Sequence, residues 1–161
     1  MTPSRASELF SYCPETGNLL RRVAAGRFGR FPAGAVVGCQ CTSGYLQVRV
    51  DGRLEMVHRI VWMLVTGEQP KNVIDHIDGS KTNNRFENLR DVSLCENMQN
   101  QRKPHRQNST KLLGVSVNGS GFSAKIHIGG KQKYLGYFDD AVSAHNAYVT
   151  AKRQMHAGNT L

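Results

Sequence analysis

Residues 73–97, "VIDHIDGSKTNNRFENLRDVSLCEN", limit what this chain can fold into more than any other stretch. They hold an Asp-His pair, four asparagines and four further acids, with little apolar material between them. A segment this polar cannot sit at the centre of a core, because each buried polar group would need its own partner. Apolar packing must therefore gather on either side of it. The segment itself is either a solvated loop or the holder of something charged.

The flanking sequence divides accordingly. At 161 residues the chain allows one ordinary domain or two small ones, and a 39% hydrophobic fraction suffices for small cores. Thr2-Pro3 can open a short helix, with Thr2 as cap and Pro3 at the first helical position, Leu9 and Phe10 inward and "CPETG" ending it in a turn. "RRVAAGRFGRFPAG" is basic and glycine-rich and reads as loop. In "GYLQVRVDGRLEMV", Leu46, Val48 and Val50 alternate with Gln47 and Arg49, and Asp51-Gly52 supplies a two-residue hairpin turn. "HRIVWMLVTG" suits a buried helix stopped at Gly67, with Trp62 as a core anchor.

Beyond the polar segment, "NQRKPHRQNSTK" holds Arg102, Lys103, Arg106 and Lys111 without an acid and reads as a basic linker over 101–111. From Gly114 onward, alternation through Val115 and Val117, then Phe122 to Ile128, then "KQKYLGYF", predicts a three-stranded antiparallel meander with turns at "NGSG" and "GG". Asp139 or Asp140 then caps a helix whose Ala141, Ala144, Tyr148, Ala151 and Met155 form one apolar stripe.

Charge is uneven across this plan. Residues 1–97 carry 12 Lys/Arg against 10 Asp/Glu, whereas residues 98–161 carry 9 against 2. A basic excess confined to one half points to a polyanionic partner, and nucleic acid is the commonest. Lys125, His127, Lys131 and Lys133 on the meander are candidate contacts; a charged outer face is also what any soluble meander shows. The chain has no apolar run of membrane-spanning length, and "MTPSRASELFSY" lacks a secretory apolar region, so a soluble, cytoplasmic protein is expected. Cys13, Cys39, Cys41 and Cys95 show no CxxC spacing and read as reduced, structural thiols.

Within the polar segment, Val73 and Ile74 read as a strand ending at Asp75-His76, "LRDVSL" as the returning strand, and Ser93 with Glu96 as a capping box for a helix through "CENMQNQR". A strand–loop–strand–helix hairpin can bring the end of its first strand beside the start of its helix. Asp75 and Asn97 would then share one space, with His76 at its edge. One carboxylate and one amide oxygen suit a hard divalent cation that keeps several waters. A neighbouring imidazole suits proton removal from water near neutral pH, and an asparagine can fix such a ring by accepting from its other nitrogen. Asn83 and Asn84 read as loop formers and Asp78 as a turn residue.

These residues resemble the HNH endonucleases, the ββα-metal nucleases common in phages and mobile introns, and "PETGNL", "GYLQVRV" and "HRIVW" resemble the N-terminal lobe of phage HNH proteins. The resemblance implies Asp75 and Asn97 as metal ligands, His76 as general base and Asn88, in "ENL", as the asparagine that orients it. "GVSV", "FSAKIHIGGKQKYLGYFDD" and "AHNAY" resemble the Apetala/ethylene-response-factor DNA-binding domain, whose three-stranded sheet enters the major groove. His58 fits either a phosphate contact near the metal or an anchor for its own helix, and Arg59 and Arg85 are candidate phosphate contacts.

The expectation is an α+β chain. A nuclease domain over 1–100, with its ββα core at about 71–100, precedes the linker and a DNA-binding domain over 112–161. It would be an Mg²⁺-dependent endonuclease, with Mn²⁺ as alternative, of nicking or homing type. It would act on double-stranded DNA as monomer or homodimer, without a membrane or small-molecule substrate. The alternative is a DNA-binding regulator with an inactive nuclease lobe.

Overall fold

Two hydrophobic clusters, one on each side of Ser93, organise the chain in a computed structural model that describes residues 1–156 and 159. The compact units are Met1–Ser93 and Leu94–Leu161.

In the first unit, α1 (Pro3–Leu9) starts at Thr2, whose hydroxyl accepts from the Arg5 amide, with Pro3 at the first helical position. The chain leaves the helix earlier than expected: Phe10 is fully buried but opens β1 (Phe10–Cys13). The "PETG" turn is therefore a hairpin connection to β2 (Asn18–Arg21), which also pairs with β3 (Val36–Val37). A second sheet holds β4 (Cys39–Gln40), β5 (Leu46–Val50) and β6 (Arg53–Met56), in that order. Asp51 and Gly52 both take positive φ, the requirement of a tight hairpin turn. α2 (Val57–Thr66) follows and stops at Gly67, which is left-handed. Its Val57, Ile60, Val61 and Met63 are buried against Phe10, Leu19, Val48 and Ile74. Each such side chain contributes about 1.5–3 kcal/mol by leaving water. Trp62 packs at the edge of this core. β7 (Val73–His76) and β8 (Leu89–Val92) form a separate antiparallel ribbon.

The second unit opens with α3 (Leu94–Gln99) and builds the expected meander, β9 (Val115–Asn118), β10 (Gly121–Ile128) and β11 (Lys131–Phe138), with β10 central. α4 (Ala141–Met155) begins at Asp140, whose carboxylate accepts from the amides of Val142 and Ser143. Buried on it are Ala144, Ala151 and Lys152. The Lys152 ammonium donates to the Gln101 carbonyl, and burial, then the charge of Arg102, holds its pKa below the usual lysine value.

The basic segment 101–111 lies within the second compact unit, without helix or strand of its own. Asn108 donates to the carbonyls of Leu112 and Val115, and Lys111 to that of Arg106. The expected boundaries at 100 and 112 thus differ from the compact units, and residues 157, 158, 160 and 161 of the expected 112–161 domain lie outside the described residues. The four basic residues of the meander divide between its two faces. Lys125 and His127 stand opposite Tyr134 and Gln132, whereas Lys131 and Lys133 stand opposite Ile128 and Ile126, in register with the buried side. All four are exposed.

Among the described residues, no helix is long and apolar enough to cross a membrane.

Candidate active site

β7 ends on Asp75 and His76, and β8 returns beside it with Asp75 opposite Arg90 and His76 opposite Leu89. Direct opposition brings the Arg90 guanidinium onto the carboxylate: Nε and Nη2 donate to Oδ2 at 2.9 and 2.7 Å. Asp75 is only 7% exposed, a depth at which an uncompensated carboxylate would be strongly destabilising.

His76 is 3% exposed and packed by two further rings. His58, from the first turn of α2, meets it edge-on with centroids 5.2 Å apart, and Tyr45, just before β5, lies 5.7 Å from it. Tyr45 and His58 close the triangle at 5.2 Å. Burial, reinforced by His76 and Arg59, pushes the His58 pKa down to about 4, so this ring is neutral at pH 7. Burial, and then the negative charge of Asp75, raises that of the Tyr45 phenol. The Lys81 ammonium sits 4.8 Å from the Tyr45 ring centroid and donates to the Ser43 carbonyl. One buried base, two rings and an exposed cation thus surround the end of β7.

The asparagine on the His76 ring is not the expected one. Asn84 Oδ1 lies 3.0 Å from His76 Nε2, and Asn84 is almost fully buried. With this oxygen accepting, Nε2 carries the ring proton and Nδ1 the lone pair. Asn88 instead ties the loop between the strands together. Its amide nitrogen donates to Asp78 Oδ1 and the Asn83 carbonyl, and its oxygen accepts from the Asp78 amide. Although burial opposes it, hydrogen bonds from Asn83, Ser80 and Asn88 hold the Asp78 carboxyl below the usual carboxylate range. Asn88 lies at the mouth of β8 facing back into residues 78–83, so it shapes the loop that delivers Asn84.

The β1–β2 hairpin holds that loop from outside. Tyr12 Oη accepts from the Phe86 amide at 2.7 Å, and Arg85 Nε donates to the Glu15 carbonyl at 2.9 Å. Gly17, at φ +75°, lies so close that a Cβ there would stand 2.8 Å from the Arg85 nitrogen and 3.1 Å from the Asn84 carbonyl carbon.

The other expected residues are more scattered. His58 is buried and neutral and its Nδ1 has no hydrogen-bond partner among the described residues, which suits the anchor rather than the phosphate contact of its two expected roles. Arg59 donates to the Asn72 carbonyl, and Arg85, although exposed, is engaged with Glu15. Arg102 is half-buried, Lys103 and Arg106 are exposed, and Asn97 is half-buried on α3 in the second unit. Asn84, Tyr45, Lys81, Arg90 and Gly17 were not anticipated. Arg90 was within reach, since pairing "VIDH" with "LRDV" places it opposite Asp75.

Residues 55–99 match the family model described as HNH endonuclease; no curated protein and no solved structure matches the chain. The match supports a nuclease domain of this kind over the segment that contains the buried Asp-His pair, and HNH nucleases typically use a divalent metal. Among the described residues no three His, Cys, Asp or Glu side chains are grouped to hold an ion. One carboxylate supplemented by amide oxygen is still a donor set that Mg²⁺ accepts, because it keeps several waters and takes phosphate oxygens.

Proposed function

We propose that this chain is a metal-dependent DNA endonuclease in which His76 takes a proton from the attacking water. The observation that carries this reading is the buried Asp75-His76 pair with its ring bonded to Asn84, inside the segment matching the HNH family model. Asn84 fixes the ring in one tautomer, leaving Nδ1 to receive the proton. His58 and Tyr45 enclose the ring without adding a second cation, and Lys81 supplies an exposed ammonium for a phosphate oxygen. A divalent cation, Mg²⁺ first and Mn²⁺ as substitute, would be held at Asp75, with its other positions filled by water and phosphate oxygens. When bound, it supplies positive charge beside the scissile phosphate and the departing 3′-oxygen. The water oxygen bonds to phosphorus as the P–O3′ bond breaks with its electron pair going to O3′, which takes a proton from solvent, leaving a 5′-phosphate and a 3′-hydroxyl. One such site cuts one strand.

The second unit is proposed as the DNA-positioning module, of Apetala/ethylene-response-factor type, with Lys125 and His127 on its uncovered face. Its contacts with phosphate orient the duplex, and base contacts select sequence. The phage or homing character of the enzyme belongs to the same proposal.

Supercoiled plasmid provides the test. Nicking that requires Mg²⁺ or Mn²⁺, stops with EDTA and disappears in His76→Ala while binding persists is the expected result. Intact plasmid at high protein concentration with either metal refutes it. That outcome would favour a DNA-binding regulator with an inactive lobe, a reading that the commitment of Asp75 Oδ2 to Arg90 favours.

A further inference from the structure

Between Glu15 and Asp51 the chain carries five arginines and no acid or lysine. Four of these, Arg21, Arg22, Arg27 and Arg30, lie at or beyond the end of β2, in or beside the segment that leads to β3. Ala25 and Phe31 exchange two backbone hydrogen bonds, 2.9 and 3.0 Å long, which close a five-residue tip, Gly26–Arg30. Gly26 and Gly29 take the left-handed region, and so does Phe28, at φ 58° and ψ 30°. A phenylalanine there is unfavourable and is kept only by a surrounding structure that determines it.

That conformation leaves the ring 93% exposed, more than any other large apolar side chain among the described residues. It does not fold back on its own unit; the group over it is the Arg27 guanidinium, 5.0 Å from the centroid. Phe31, at the base of the tip, is flanked by Arg30 and Arg21, and Arg21 also lies over Phe10 in the core. The tip is thus closed and tied to the core through Arg21, and it presents one exposed aromatic ring with Arg27 over its face.

We propose that Phe28 is a wedge that inserts between adjacent base pairs of duplex DNA while Arg27 and Arg30 hold the flanking phosphates. A single protruding ring on a narrow tip fits the gap of a base step, and apolar wedges of this kind unstack and kink the duplex. Guanidinium groups match phosphate with two parallel hydrogen bonds, and the absence of acids keeps the approach attractive. The inference rests on the nuclease reading and gives it a purpose. The tip lies in the connection from β2 to β3 of the sheet whose β1–β2 hairpin is clamped on the Asn84–Phe86 loop, so wedge and His76 belong to one unit. Opening a base step bends the duplex that this unit holds.

The test uses the full chain with His76→Ala, in EDTA, bound to relaxed closed-circular plasmid with a metal-independent topoisomerase. The linking number is read after protein removal. Insertion should lower the linking number in proportion to bound protein. Adding Phe28→Ala should make that change about tenfold smaller at equal occupancy and weaken binding about tenfold, the effect of losing one base–aromatic stack. Phe28→Trp should retain both. Since the ring is exposed, the melting temperature should not move in either variant. An undiminished linking-number change in Phe28→Ala overturns the wedge. So does a result in which Phe28→Ala loses only binding to phosphatidylcholine/phosphatidylserine vesicles, which would make the tip a membrane contact. Parent protein that neither binds nor nicks plasmid overturns the nuclease reading itself, whereas parent that nicks beside an unaltered Phe28→Ala removes the wedge alone.

Discussion

Replacing Asn84 by alanine separates the role of this side chain from that of its neighbour Asn88. The bond from His76 Nε2 to Asn84 Oδ1 is 3.0 Å long between side chains that are 3% and 1% exposed. Neither group can turn to bulk solvent when its partner is removed, so Asn84→Ala leaves a buried ring N–H to be satisfied, at a cost of about 1–3 kcal/mol. For a unit of Met1–Ser93 size, that lowers the melting temperature by roughly 4–8 °C per kcal/mol. The kinetic effect should be larger than the stability loss suggests, because without the acceptor the ring proton is no longer held on Nε2 and Nδ1 is no longer reserved as base. Loss of a partner that orients a catalytic or metal-bound histidine typically costs about 10- to 100-fold. Plasmid nicking under single-turnover conditions, below the melting transition, should fall by that factor with plasmid affinity little changed. Asn88→Ala removes three side-chain hydrogen bonds around Asp78 and Asn83, so it should destabilise the unit more than Asn84→Ala does. If Asn84→Ala nicks at the parent rate while Asn88→Ala does not, the assignment of the ring partner is refuted.

Gly17→Ala forces a Cβ to within 2.8 Å of the Arg85 nitrogen at φ +75°. It should cost about 1–3 kcal/mol in thermal stability and reduce nicking together with it, readable by calorimetry and plasmid assay. His58 titrates near 4 when folded but near 6.5 when unfolded, so the unfolded chain binds the extra proton between those values and stability falls as pH drops from about 6.5 toward 4. His58→Gln should flatten that part of the stability profile by up to about 3 kcal/mol, measured by urea unfolding at pH 7 and pH 4.5. Lys125→Ala should reduce the slope of log affinity against log salt by about 0.9, whereas Lys133→Ala, on the other side of β11, should leave it closer to the parent value.

Periodicity made the meander, α2, α4 and the β5–β6 hairpin legible, because each follows one dominant rule: alternation for the strands, a left-handed glycine for the end of α2, an aspartate cap for α4. β1 was not legible, since four residues after a helix carry too little pattern to show where rise and twist change. The burial of Lys152 leaves no local signal either: its stem lies on the buried side of α4 while its charge is met by a carbonyl 51 residues away. The same distinction governs the candidate site. The Asp75-His76 pair stands out in the sequence because its chemistry is unusual, whereas Asn84 was set aside as a loop former because asparagine is common in loops. What separates Asn84 from Asn83 is which one the loop turns inward, and that depends on Asn88 drawing residues 78–83 together and on the Gly17 turn closing from the opposite side. The identity of the base is therefore a local property of two residues, while its alignment is a property of a loop fixed by the first strands of the fold. Substitutions in the β1–β2 hairpin should consequently impair proton transfer before they impair DNA binding.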